Sequence, residues 1–146
     1  MLRNIQAYVL AVLAGYVAGS IACTQSVMAR LAEMGVSVPL GDRLVTTGQD
    51  ILGMASSYLP IIAIGYLIAF PVAALVLRVR PAWRNVGYPL AGGAALLVIH
   101  VALELVLGIT AIAAVRTVGG LALQVACGAL GGYIFLLCGP ARRVPD

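Results

Sequence analysis

The sequence predicts an all-α integral membrane protein, a single transmembrane domain built as a four-helix bundle. The chain has 146 residues, of which 62% are hydrophobic and only 10% charged, and its mean hydropathy is +1.07. Soluble domains are typically about half apolar and about a quarter charged. Four long apolar stretches recur along the chain, each near or above the roughly 20 residues that a helix needs to cross a bilayer.

The first predicted span covers residues 5–23. Its short cationic start, apolar centre and small residues before Cys23 imitate a secretory or lipoprotein signal. Ser20 stands where a lipoprotein signal normally carries an aliphatic residue, so we expect the segment to be retained as a helix. Small residues recur in it at strict four-residue spacing and form a flat stripe that suits close helix packing. The stripe consists of Ala7, Ala11, Gly15 and Gly19.

The longest segment outside the predicted spans covers residues 24–53. It is too short for a soluble domain, which generally needs about 50 residues or more. Between Leu40 and Ala55, apolar residues recur at helical spacing, with polar residues on the other faces. This pattern predicts a short amphipathic helix on the outer surface, running into the second span, with Pro39 in its first turn. Such a helix either caps the bundle or serves as a lid or docking surface.

The second span is predicted over residues 54–77, with Tyr66 near its midpoint. Pro71 removes one helical hydrogen bond and is expected to kink the inner third of this span. The loop at 78–88 carries three arginines together with Trp83, which suits an anchor at the membrane interface.

The third span, predicted over residues 89–115, contains His100 and Glu104, which are four residues apart and therefore on one helix face. The centre of this span falls near Ala102, so both side chains are expected about 3 Å from the bilayer midplane. An unpaired carboxylate there costs at least about 2.5 kcal/mol. We therefore expect both groups to face the bundle interior or a water-filled cavity.

The fourth span is predicted over residues 118–138. The very short connection from the third span makes the two helices antiparallel neighbours. A second small-residue stripe runs along the fourth span and could pack helices within one chain or between two copies. It consists of Gly120, Gln124, Gly128 and Gly132.

The nine basic residues are all arginines, and their distribution predicts the topology. An excess of cationic residues marks the cytoplasmic side, so both termini should lie inside, in a plasma membrane of the bacterial inner-membrane type. The net charge of +4 then needs no nucleic-acid partner to explain it. Arg3, Arg78, Arg80, Arg84, Arg142 and Arg143 fall on the predicted inner side, and Arg30, Arg43 and Arg116 on the outer side.

Counting depth along the spans brings other polar residues to the level of the histidine and glutamate. Two tyrosines come close to the midpoints of the first and second spans, and the glutamine lies about 6 Å to the outer side of its helix centre. We expect these residues to converge into one polar cluster inside the bundle. Its predicted members are Tyr16, Tyr66, His100, Glu104 and Gln124.

A second polar group is predicted on the outer side from Asp50, Arg43 and Arg116. Exposed ion pairs are common and contribute little, so a surface network is one interpretation. The other is a vestibule whose carboxylate attracts a cation toward Glu104.

Two purposes fit the predicted intramembrane cluster. Polar contacts between spans can fix helix register, and an ionisable residue inside a membrane is also a candidate proton, ion or solute site. A cofactor is not predicted, because membrane haem b commonly needs two axial histidines and this chain has one. A metal is not predicted either, since one histidine and one glutamate supply too few ligands.

The sequence leaves two main classes of function open. The first is a small transport or permeation protein, expected to be a homo-oligomer, in which His100 and Glu104 bind a proton, an ion or a small polar solute. The second is a non-catalytic subunit or scaffold of a larger membrane complex that docks its partner through the glycine stripes and the outer helix. A membrane-embedded enzyme comes third, because no serine or cysteine has a base beside it in the sequence.

Overall fold

All regular secondary structure in the residues that the computed structural model describes, which are 2–107, 115 and 117–139, is helical. Four of the helices are long and apolar enough to cross a membrane, in agreement with the four predicted spans. A one-turn 3-10 helix at Pro81–Trp83 links the second and third of these. The helices are α1 at Leu2–Glu33, α2 at Leu40–Gly53, α3 at Tyr58–Val79, α4 at Arg84–Leu107 and α5 at Val118–Cys138.

Helix boundaries differ from the predicted spans in three places. Helix α1 continues about ten residues past Cys23, into the segment expected to lie outside the span. Turns at residues 54–57 separate α2 from α3, so the amphipathic helix does not run into the second span. Helix α4 begins at Arg84 instead of residue 89. Residues 108–114 of the third predicted span and Arg116 lie outside the described residues.

The four long helices pack around a closed ring in the order α1, α5, α4 and α3. The most intimate contact joins α4 and α5, where Gly92 and Gly128 bring the two backbones together. A Cβ atom at either glycine would collide with the other's carbonyl oxygen. Gly132 lies equally close to the backbone of α4 at Tyr88. Because lipid tails are as apolar as leucine, such close approach is the main source of attraction between membrane helices.

Both small-residue stripes are used inside a single chain. All eight of their members are buried, four on α1 and four on α5. Gln124 is the polar member of the α5 stripe, and its side chain is completely buried. The stripes therefore seal this bundle from within, whatever further contacts the protein makes.

Helix α2 lies along α1 and is held there by polar groups. The hydroxyl of Thr24 contacts the Asp50 carboxylate at 2.6 Å, and the amide of Gln25 donates to Thr47 at 3.3 Å. Ile51 of α2 is partly buried and packs against the core of the bundle. Four other apolar residues of α2 are exposed, namely Leu40, Leu44, Val45 and Leu52.

We expect Gly128→Ala to destabilise the protein by about 1–3 kcal/mol, because the new methyl group meets the Gly92 carbonyl oxygen and the helices must move apart. Gly119→Ala is the matched control, since it lies on the same helix with no atom within 4 Å of an added Cβ. Thermal unfolding of the detergent-solubilised protein measures both. Equal losses in the two variants would contradict the packing described for α4 and α5.

Candidate functional site

The four spanning helices meet at one buried set of hydrogen bonds, which we call the polar junction. It consists of the Gly19 carbonyl on α1, Tyr58 on α3, His100 on α4 and Gln124 on α5. The Gln124 amide donates to the Gly19 carbonyl at 2.9 Å, and its oxygen accepts from the Tyr58 hydroxyl at 2.9 Å. Both ends of the buried amide are thus paired, as the apolar surroundings require.

His100 joins the junction through the same tyrosine. Its Nε2 atom lies 3.4 Å from the Tyr58 hydroxyl oxygen, and the two rings are tilted with their centroids 6.0 Å apart. Because the phenol has one proton and gives it to Gln124, a hydrogen bond with His100 requires Nε2 to be the donor. The histidine is buried, and its position closes the side of the junction that faces α4.

Glycine at position 19 makes this arrangement sterically possible. A Cβ atom there would lie 3.0 Å from the Gln124 oxygen and 3.2 Å from the Tyr58 ring. The absent side chain exposes the carbonyl group of α1 to the amide of α5. The α1 stripe therefore contributes a hydrogen-bond acceptor as well as a flat packing surface.

The structure separates the five residues that were expected to converge. His100 and Gln124 lie in the polar junction, and the Tyr16 ring is 6.3 Å from the Tyr58 ring, while the Tyr16 hydroxyl donates to the Ile51 carbonyl of α2. Tyr66 lies two helical turns further along α3. Its hydroxyl donates to the Gly128 carbonyl at 2.9 Å instead of joining the junction.

Glu104 is exposed and does not join the polar junction, so its expected inward placement is not found. One reason is the start of α4 at Arg84, five residues before the predicted start of the third span. Counted from Arg84 at 1.5 Å per residue, His100 lies about 24 Å and Glu104 about 30 Å along the helix. The glutamate is thus about a full bilayer thickness from the arginine-rich start of the helix and not at its expected midplane. A binding role for Glu104 stays a prediction.

Sequence reasoning missed Tyr58, which makes two of the junction's hydrogen bonds. The predicted span began four residues earlier, so this tyrosine resembled an ordinary interfacial residue. The spacing of residues in the sequence could have predicted that Tyr58 faces inward. Aromatic and aliphatic residues recur every four positions along one face of α3, and all of them are buried. That face consists of Tyr58, Ile62, Tyr66 and Phe70.

The predicted outer polar group is only partly visible. Asp50 contacts Thr24 and thereby holds α2 on α1. Arg43 is half-buried on α2, where its carbonyl accepts from the Thr47 hydroxyl at 2.7 Å. Arg116 lies outside the described residues. The vestibule therefore stays a prediction.

A cleft of about 680 Å³ opens at the other end of the bundle, where the arginines of α3 and α4 lie. We call it the arginine-rich cleft. Its walls come from all four spanning helices, and its blind end is at Tyr66. Beyond Tyr66, toward the polar junction, Ile62 and Leu96 are completely buried and fill the bundle. The cleft is thus open at one end and closed at the other.

Within the described part of the chain, no group of three or more histidine, cysteine, aspartate or glutamate side chains is placed to hold a metal ion. The polar junction has its amide paired at both ends, whereas the arginine-rich cleft combines empty volume with aromatic, polar and cationic side chains. The cleft is therefore the better candidate for a ligand site.

Comparison with protein-family models, with characterised proteins and with solved structures finds no match for this chain.

We expect Tyr58→Phe to lower the free energy of unfolding by about 1–2 kcal/mol, because it leaves the buried Gln124 oxygen without a donor and removes the contact with His100. Tyr133→Phe is the matched control, because Tyr133 is exposed on α5. Reversible unfolding of the two variants in mixed micelles gives the difference. A change below the effect of Tyr133→Phe would show that the junction does not stabilise the bundle.

Glu104→Gln is expected to change the free energy of unfolding by less than about 0.5 kcal/mol, because an exposed side chain has little native interaction to lose. Reversible unfolding in mixed micelles measures this change. A loss as large as that of Tyr58→Phe would place Glu104 inside the bundle after all.

Proposed function

We propose that this protein is a small carrier of a plasma membrane of the bacterial inner-membrane type. In this proposal the arginine-rich cleft receives an amphipathic molecule, and the polar junction closes the far end of the bundle. The observation that carries the proposal is a cleft open at one end and closed at the other within four span-length helices. Its volume lies within the roughly 300–1,000 Å³ typical of small-molecule sites.

The closure is supported by two layers of side chains. Next to the cleft, Ile62 and Leu96 are completely buried, and beyond them lies the polar junction with Tyr58, His100 and Gln124. A carrier must open such a closure to release its ligand on the other side. In this form of the transport proposal, His100 serves the closure, and the cleft takes the place of the histidine–glutamate pair as the ligand site.

The arginine distribution supports an orientation with the cleft on the cytoplasmic side. Arg3, Arg78, Arg80 and Arg84 lie at the same end of the helices as the cleft. Helix α2 lies at the opposite end, and its exposed leucines suit a helix resting in the outer membrane interface.

A second candidate is a non-catalytic subunit of a larger membrane complex, or a homo-oligomer of this chain. An apolar groove of about 660 Å³ runs between α3 and α4 on the outer surface of the bundle. Small residues line it, including Gly65, Gly87, Ala91 and Ala94. Small residues on a lipid-facing surface allow another helix to approach closely.

The carrier proposal predicts that the α2 end of the bundle opens. Cys23 is a suitable reporter, because it is buried on α1 one helical turn beyond Gly19, on the α2 side of the junction. In a protein whose only cysteine is Cys23, an impermeant thiol reagent added from the α2 side should modify it slowly. Tyr58→Phe should raise that rate severalfold by weakening the closure. Inverted and right-side-out membrane vesicles give the two sides.

Ala74→Cys in a cysteine-free background is the control for the open end. Ala74 lines the arginine-rich cleft, so this cysteine should react quickly, and only from the arginine-rich side. A Cys23 that never reacts in the folded protein, with or without Tyr58→Phe, would mean a permanent closure. The carrier proposal would then fail, and the subunit proposal would replace it.

A further inference from the structure

Besides its opening at the arginine-rich end of the bundle, the arginine-rich cleft has a lateral mouth between α1 and α3. Ile5 of α1 and Leu67 of α3 both line it, and each side chain is 61% exposed. These two helices contact each other less than the other neighbouring pairs of spanning helices do. In a membrane, such a seam faces the hydrocarbon of the adjoining leaflet. A molecule dissolved in the bilayer can therefore enter without passing through water.

The inner wall of the cleft is aromatic and suits hydrocarbon. The Phe70 ring stacks on Tyr66 with centroids 4.7 Å apart and on Phe135 with centroids 4.4 Å apart. Tyr88 lies 5.0 Å from Phe135 and completes the wall. Tyr66 and Phe70 are buried behind this wall and hold it rigid. An acyl or isoprenoid chain can therefore pack against the half-buried rings of Tyr88 and Phe135.

The rim of the cleft is cationic. Arg78, at the end of α3, and Arg84, at the start of α4, both line it, together with the amide side chain of Asn4. None of the described acidic residues does so. Glu33, Asp42, Asp50 and Glu104 all lie at or near the opposite end of the bundle, and the fifth acidic residue, Asp146, lies outside the described residues. The exposed Arg78 therefore makes the rim favour an anion, and its guanidinium group matches phosphate oxygens in geometry.

We propose that the arginine-rich cleft binds a lipid with a net anionic phosphate headgroup, taken from the adjoining leaflet. Its chain lies against the aromatic wall, and its phosphate contacts Arg78 at the rim. This inference rests on the proposed function only in taking the cleft as the ligand site. It adds the chemical class of the ligand and its route of entry.

The test is competition between two lipids that differ in headgroup charge. The full-length protein is equilibrated in detergent with equal amounts of phosphatidylglycerol and phosphatidylcholine, and bound lipid is counted by native mass spectrometry. The wild-type protein should retain phosphatidylglycerol preferentially. Arg78→Gln should reduce the ratio of bound anionic to zwitterionic lipid about fivefold, the effect of roughly one interfacial cation.

Two arginine variants control for charge and for packing. Arg80→Gln removes a neighbouring arginine that does not line the cleft, so the ratio should stay at the wild-type value. Arg78→Lys keeps the charge and should preserve most of the preference, which separates charge from folding if Arg78→Gln proves unstable. An equal drop in Arg78→Gln and Arg80→Gln would overturn the proposal, because the preference would then come from the whole arginine-rich surface.

Ala74→Phe separates the cleft from the rest of the surface, because the new ring occupies the cleft. Loss of both lipids in this variant, with an anionic preference in the wild type, supports the proposal. Equal retention of the two lipids by the wild type, with loss of both in Ala74→Phe, would overturn the headgroup inference and leave the proposed function intact. Retention unaffected by Ala74→Phe would refute both. Lipid-free protein is tested separately with inorganic phosphate alone. If the wild type binds phosphate and Ala74→Phe binds it equally well, the claim that the bound phosphate belongs to a lipid is overturned.

Discussion

Backbone contact between α4 and α5 is the constraint on which the remaining structure depends. In a bilayer no hydrophobic force drives apolar helices together, so their association relies on close van der Waals approach and hydrogen bonds. Gly92 and Gly128 let the two backbones touch, and Gly132 extends the contact toward the arginine-rich end. The contact leaves no room for a side chain at either glycine, so it fixes both the distance and the register of the two helices.

That register is what brings the polar junction together. Gly92, Leu96 and His100 follow one another at four-residue spacing on α4, just as Gly128 and Gln124 do on α5. In two antiparallel helices that touch at Gly92 and Gly128, the residues one and two turns further on must face each other. Leu96 therefore faces Gln124, and His100 lies one turn further along α4. Tyr58 of α3 contacts both His100 and Gln124 and so spans this offset.

The sequence predicts the features of this site that depend on residue spacing better than those that depend on depth in the membrane. Glycine stripes and the inward placement of His100 and Gln124 follow from periodicity, which does not depend on where a helix begins. The depth of a residue in the membrane does depend on it, and the start of α4 at Arg84 moves Glu104 from the expected midplane to about 30 Å along the helix. Tyr58 was missed for the same reason. The cleft arises from the loose contact between α1 and α3, and no local pattern in either helix encodes that looseness.

Helix α3 is held to α1 and α5 by a few hydrogen bonds and not by close backbone packing, so a reversible closure is physically reasonable. Tyrosine hydroxyls bond it to α1 and α5, through Tyr8 to Ala63, Tyr58 to Gln124 and Tyr66 to Gly128. Hydrogen bonds between membrane helices average only about 0.6 kcal/mol each. Breaking all three costs an amount that a bound ligand can offset, whereas separating α4 from α5 would destroy the packing of the bundle. A moving α3 against a fixed α1, α5 and α4 would open the closure and the lateral mouth of the cleft with the same displacement.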